Sequence, residues 1–161
     1  MRKLFITCIA VLFIAVAVDA QDYRTGIGFR GGYYNGLTVK HFLASEKAVE
    51  GLLVMPPWGG FLLTGLYEIH GPAFNVSGLN YYYGVGGHLG QWRGKTGEKH
   101  YNADKNYTVL GIDGILGIEY NFGELPFNVS LDFKPALNLT GGYLYYPDEF
   151  ALSIRYVWGS R

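Results

Sequence analysis

Hydrophobic and polar residues alternate one by one along most of the chain after residue 20. The clearest run is 107–121, in which Leu110 and Leu116 share one face while Asp113 falls on the other. A period of two is typical of a β-strand whose two faces meet different surroundings. Helical periodicity is nearly absent, since only 45–50 has the composition for a single helical turn. The pattern therefore predicts an all-β chain.

Turn signals rich in Gly, Pro and Asn divide the alternating sequence into eight runs. These runs span 24–34, 36–43, 48–56, 60–70, 79–91, 107–121, 126–138 and 149–158. Eight strands form the smallest common closed barrel, so we predict an antiparallel, up-and-down transmembrane β-barrel. The two longest connections, 92–106 and 139–148, fall on the same side of such a barrel. Long loops on one side and short turns on the other are typical of membrane barrels.

The charges on the polar face indicate which face points outward. A water-facing surface carries roughly 25–35% charged residues, whereas a narrow lumen takes small residues and mutually paired charges. The sparse charges here favour the lumen. The predicted lumen charge network is Arg30, Lys40, Glu50, Glu68, Asp113, Glu119, Asp132, Lys134 and Arg155. A secreted, soluble ligand-binding barrel with the two faces exchanged remains an alternative.

The opposite, apolar face carries aromatic residues towards the strand ends. Tyr and Trp side chains prefer the interface between membrane and water, and membrane barrels carry girdles of them. The predicted interfacial aromatics are Tyr67, Tyr81, Trp92, Tyr120, Tyr156 and Trp158. This face is therefore expected to contact lipid.

Composition narrows the function classes. The 161 residues are 17% aromatic and only 16% charged, with a formal net charge of +0, so no polybasic surface for nucleic acid is present. Residues 1–20 combine Arg2 and Lys3 with an apolar run and a small residue, Ala20, which predicts a cleaved signal peptide. The barrel domain is then 21–161, and together with its predicted lipid-facing surface this leads us to expect export to the outer membrane. Because Cys8 is the only cysteine, the predicted mature chain has no disulfide.

Three segments resemble the small bacterial outer-membrane β-barrels of the OmpA/OmpX type. They are the glycine-rich opening strand 26–32, the alternating strand 111–120 and the terminal strand 152–158. The resemblance extends over essentially all of 21–158, and it lies in the overall pattern of residues rather than in one diagnostic motif. It implies insertion by the barrel-assembly machinery and contact with outer-membrane lipid and lipopolysaccharide. Family members usually end on an aromatic residue, whereas here three residues follow Trp158.

The sequence offers no clear catalytic or metal-binding set. None of the four histidines, His41, His70, His88 and His100, lies two residues from a serine, the arrangement of the deacylase barrels that this chain also resembles. Glu98, His100 and Asp104 share a loop, but their spacing matches no rigid metal-ligand set. We therefore expect no catalytic residue, metal or cofactor, with His88 hydrogen-bonded in the lumen and His70 in a turn. A lipid A-modifying barrel enzyme remains an alternative.

The expected function is non-enzymatic: a structural or surface-interaction protein whose lumen is plugged by ion pairs. An accessory subunit of a larger outer-membrane protein complex is an alternative that aromatic loops would suit. Basic loop residues could pair with lipopolysaccharide phosphates, and an exposed tyrosine cluster favours a contact surface. The candidate recognition residues are Arg93, Lys95, Lys99, Lys105, Tyr143, Tyr145 and Tyr146.

Overall fold

The computed structural model describes residues 23–56, 59–93, 106–140, 145–146 and 150–160. Within these ranges all regular structure is β, and no helix long and apolar enough to cross a membrane is found. The strand segments are β1 (Tyr23–Gly32), β2 (Asn35–Ala44), β3 (Lys47–Met55), β4 (Gly60–Pro72), β5 (Leu79–Arg93), β6 (Asn106–Asn121), β7 (Phe127–Phe133), β8 (Ala136–Thr140), β9 (Tyr145–Tyr146) and β10 (Phe150–Ser160).

The segments form one closed antiparallel sheet. Sequence neighbours pair from β1 to β6, β6 pairs with β7, and β10 pairs with both β7 and β1, which closes the circle. Both β7 and β8 pair with β6, so together they form one strand of the wall; β9 and β10 form the next. The described residues therefore build an eight-stranded barrel, which confirms the predicted all-β fold and strand number.

The interruption between β7 and β8 is the main departure from the predicted strands. The alternation over 126–138 predicts one continuous strand, but the ladder breaks at Lys134 and Pro135. Proline has no N–H to donate to a ladder and is therefore confined to strand edges and irregularities. The carbonyl of Pro135 still accepts the N–H of Gly114, which keeps the two halves against β6.

We name the two ends of the barrel by their connections. The turn end carries the links at 45–46, 73–78 and 122–126. At the loop end lie the link at 33–34, the ends of β3, β5 and β8, and the starts of β4, β6 and β10. Five of the predicted interfacial aromatics lie in the half of the barrel towards the turn end: Tyr67, Tyr81, Tyr120, Tyr156 and Trp158. Trp92 lies near the loop end of β5.

The two faces of the wall differ sharply in polarity. Outward positions carry large apolar side chains, such as Phe29, which is 75% exposed, and Leu116, which is 59% exposed. Inward positions carry most of the charged residues of the strands. This distribution is the reverse of that in an ordinary soluble protein, where buried charge is rare.

Candidate functional site

The charged interior is the most distinctive feature of the barrel. Each of the nine charged residues singled out in the sequence is buried, with an exposed fraction of at most 4%. They reach the interior from every wall strand except β5, which contributes Tyr82 and His88 instead. The residues are Arg30, Lys40, Glu50, Glu68, Asp113, Glu119, Asp132, Lys134 and Arg155. Buried charges need partners, because an isolated ion in a low dielectric is very unfavourable.

Arg155 joins four wall strands at the centre of the interior. Its guanidinium forms an ion pair with Glu50 of β3. Its Nε donates to Thr38 Oγ1 at 3.0 Å, and its Nη1 donates to Asn128 Oδ1 at 2.9 Å and to Ser130 Oγ at 2.8 Å. One side chain thus links β10 to β2, β3 and β7 through several charge-assisted hydrogen bonds.

Lys40 lies among three carboxylates. Its Nζ is 2.8 Å from Glu68 Oε2, 3.4 Å from Glu119 Oε2 and 3.6 Å from Glu50 Oε2. The same ammonium lies 3.9 Å from the centroid of the Tyr82 ring, a favourable cation–π distance. Lys40 and Arg155 therefore supply two positive charges to a central cluster that holds three carboxylates.

His70 also belongs to this central cluster. Its Nε2 lies 3.6 Å from Glu68 Oε2 and 3.8 Å from Glu119 Oε1, and its ring stacks on Tyr82 with centroids 5.2 Å apart. The expectation that His70 is a turn residue is wrong, since it lies within β4 and is buried. The alternation already indicated that His70 points inward, because it is two residues from Glu68 and therefore lies on the same face of the strand.

A second group of charges lies beside the central cluster. Arg30 donates two parallel hydrogen bonds to Asp132, of 2.8 Å to Oδ2 and 2.6 Å to Oδ1. The hydroxyl of Tyr82 donates to the same carboxylate at 3.0 Å. Because Tyr82 also contacts Lys40, it joins this pair to the central cluster.

A third group centres on Asp113, nearer the loop end. Its Oδ1 accepts a hydrogen bond from Lys134 Nζ at 3.0 Å, and its Oδ2 lies 2.7 Å from His88 Nδ1. The other ring nitrogen of His88 lies 2.9 Å from Asn138 Oδ1. Gly111 is required opposite this ring, because a Cβ there would lie 2.3 Å from His88 Cε1. His88 is thus held in one orientation by polar partners on both sides.

Buried apolar side chains share the interior with the charged groups. Leu52, Leu66, Tyr82 and Ile115 form one buried cluster. A second cluster, of Tyr34, Val54 and Leu62, lies closer to the loop end. Chemically, the side chains of the interior can neutralise one another's charges and occupy the lumen. No group of three or more His, Cys, Asp or Glu suited to a metal ion occurs within the described ranges.

The candidate recognition residues lie at or beyond the edge of the described structure. Arg93 is the last residue of β5, and Tyr145 and Tyr146 form β9. Four further candidates lie outside the described residues, as does the predicted signal peptide 1–20: Lys95, Lys99, Lys105 and Tyr143. The recognition loops therefore stay a prediction from the sequence.

Comparison of the chain with protein-family models, with curated proteins and with solved structures found no match. The closed eight-stranded antiparallel barrel is consistent with an OmpA/OmpX-like architecture, but the comparisons assign no family. A fold alone does not determine function, whereas the polarity of the two faces of the wall bears on it directly.

Proposed function

We propose that the chain is an integral outer-membrane β-barrel with a non-enzymatic, structural or surface-interaction role and a lumen closed by ion pairs. The observation that carries the proposal is the inverted distribution of polarity. On the outward face of β6, Leu110, Ile112, Leu116 and Ile118 are all exposed, and no charged residue lies between them on that face. Soluble proteins rarely expose contiguous apolar surface beyond a few hundred Å². Hydrocarbon is the solvent in which such a face is stable.

Strand length and aromatic placement support the same environment. A transmembrane β-strand needs about 9–11 residues when it is tilted by about 45°. The first two strands have 10 residues each and β3 has 9. The exposed Tyr156 and Trp158 lie near the turn end of β10, where an interfacial girdle is expected.

The same face argues against a soluble ligand-binding barrel. Such a protein would place charge outside and an apolar cavity inside, which is the opposite of the observed arrangement. Here Arg155, Lys40 and Glu50 occupy the interior, and Phe29 and Leu116 lie outside. The partners proposed for this barrel are accordingly outer-membrane lipid and lipopolysaccharide, with the assembly machinery acting during insertion.

The closed lumen is tested by electrical recording from the purified barrel in planar lipid bilayers. We expect no steady ion current, because an eight-stranded barrel is just wide enough for side chains to fill, and these side chains are paired. Protection of the barrel from added protease verifies insertion in the same preparation. A refolded porin serves as the conducting control. Steady pore currents from the inserted, unmodified barrel would contradict the closed lumen.

A further inference from the structure

A groove of about 540 Å³ lies on the outer surface of the barrel near the loop end. It runs along the junction of β1 and β10 and reaches the start of β2. The residues that line it are Phe29, Gly31, Gly32, Asn35, Leu152 and Ile154. Each of them is exposed, so the groove opens onto the outward face.

Gly31 creates the groove. It occupies an outward position in the alternation of β1, between the positions of Phe29 and Tyr33, and its partner in the ladder is Leu152. An ideal Cβ at Gly31 would find no atom closer than Asn35 Oδ1, at 3.7 Å. The backbone therefore has room for a side chain here, and the absence of that side chain leaves the groove open at this point.

The chemistry of the lining is apolar along the groove and polar at its end. Phe29, Leu152 and Ile154 are each between 49% and 75% exposed and form the walls. Asn35 is the one polar side chain of the lining, and its Oδ1 accepts the N–H of Gly32 at 3.4 Å. The amide of Asn35 also carries N–H donors, which suit a carbonyl oxygen.

We propose that this groove binds one acyl chain of a lipid A molecule, with the carbonyl of the chain towards Asn35. The inference rests on the proposed membrane location. The groove is continuous with the exposed apolar exterior, and it lies at the loop end, which in membrane barrels is the external side. The lipid at that level is lipopolysaccharide of the outer leaflet.

The lining of the groove favours an acyl chain over a protein partner. Its floor includes Gly31 and Gly32, which have no side chains, and Phe29, Leu152 and Ile154 stand beside them. A helix is about 10–12 Å across with its side chains and would rest on Phe29 rather than enter. An extended hydrocarbon chain fits the gap and contacts both walls.

The test fills the groove without straining the wall. Gly31→Leu places an apolar side chain in the gap, and we expect it to reduce lipid A retention about tenfold. The wild type and each variant are refolded into phosphatidylcholine vesicles containing purified lipid A. They are released with mild detergent, and bound lipid is counted by native mass spectrometry. The matched control is Gly65→Leu, because Gly65 is also exposed and outward, with no atom within 4 Å of its ideal Cβ.

A second variant guards against misfolding of the first. Asn35→Leu keeps the apolar walls and removes the amide, and we expect it to reduce lipid A retention several-fold. Equal retention by wild type, Gly31→Leu and Asn35→Leu would overturn the groove assignment. Phosphatidylcholine retained as strongly as lipid A, and lost equally in Gly31→Leu, would also overturn it.

Failure of the proposed function would have a different signature in the same samples. A wild-type chain that does not enter vesicles, judged by protease digestion, would contradict the membrane location itself. An inserted wild type that retains lipid A no better than Gly31→Leu would contradict the groove alone.

Discussion

Arg155→Met is expected to lower the free energy of unfolding by about 3–5 kcal/mol, because removing one partner of a buried ion pair leaves the other charge uncompensated. Arg155 is fully buried and pairs with Glu50, which is also buried. The change also removes its hydrogen bonds to Thr38, Asn128 and Ser130. Urea titration of the refolded barrel in vesicles, followed by loss of the β-sheet circular dichroism signal, measures the difference.

Two further variants separate the ion pair from general damage. Arg24→Met changes an exposed arginine of β1, and we expect a difference within about 0.5 kcal/mol, as for most surface substitutions. The double variant Arg155→Met with Glu50→Gln removes both charges and should recover a large part of the loss. An effect of Arg155→Met no larger than that of Arg24→Met would contradict the central role of this cluster.

Leu116→Arg is expected to destabilise the barrel in lipid vesicles by about 2–4 kcal/mol, the range for a basic residue facing lipid near the middle of the bilayer. Leu116 lies away from both ends of the long strand β6 and is 59% exposed on the outward face of the barrel. On a water-facing surface the same arginine would be solvated, and the free energy of unfolding would hardly change. The same urea titration measures the effect.

Glu124→Arg is the control for the added arginine. Glu124 is exposed in the short link between β6 and β7, outside the strands. We expect its stability to match that of the wild type within about 0.5 kcal/mol. If Leu116→Arg were equally harmless in vesicles, lipid would not contact the outward face, and the assignment of the two faces would fail.

The alternation of the sequence predicted much of the fold because strand geometry ties it directly to the two faces of the wall. It placed Lys40, Glu50 and Arg155 on one side and Leu116 on the other, as the structure has them. It did not predict the break at Pro135, although proline is a recognisable interruption of a strand.

The pairing of the charges lay beyond the sequence. Arg30 and Asp132 are 102 residues apart, and they meet only because β1 and β7 flank β10 in the closed sheet. The alternation within each strand shows which face a residue occupies, but the register across several strands decides which residues touch. The groove at Gly31 has the same origin, since its walls come from β1 and β10.

Membrane insertion is tested by the location of the full chain, expressed in a Gram-negative host and followed through cell fractionation. We expect the chain to sediment with the outer membrane and to stay there after alkaline carbonate washing, which removes peripheral proteins. Recovery of the folded barrel in the soluble periplasmic fraction, without detergent, would contradict the account.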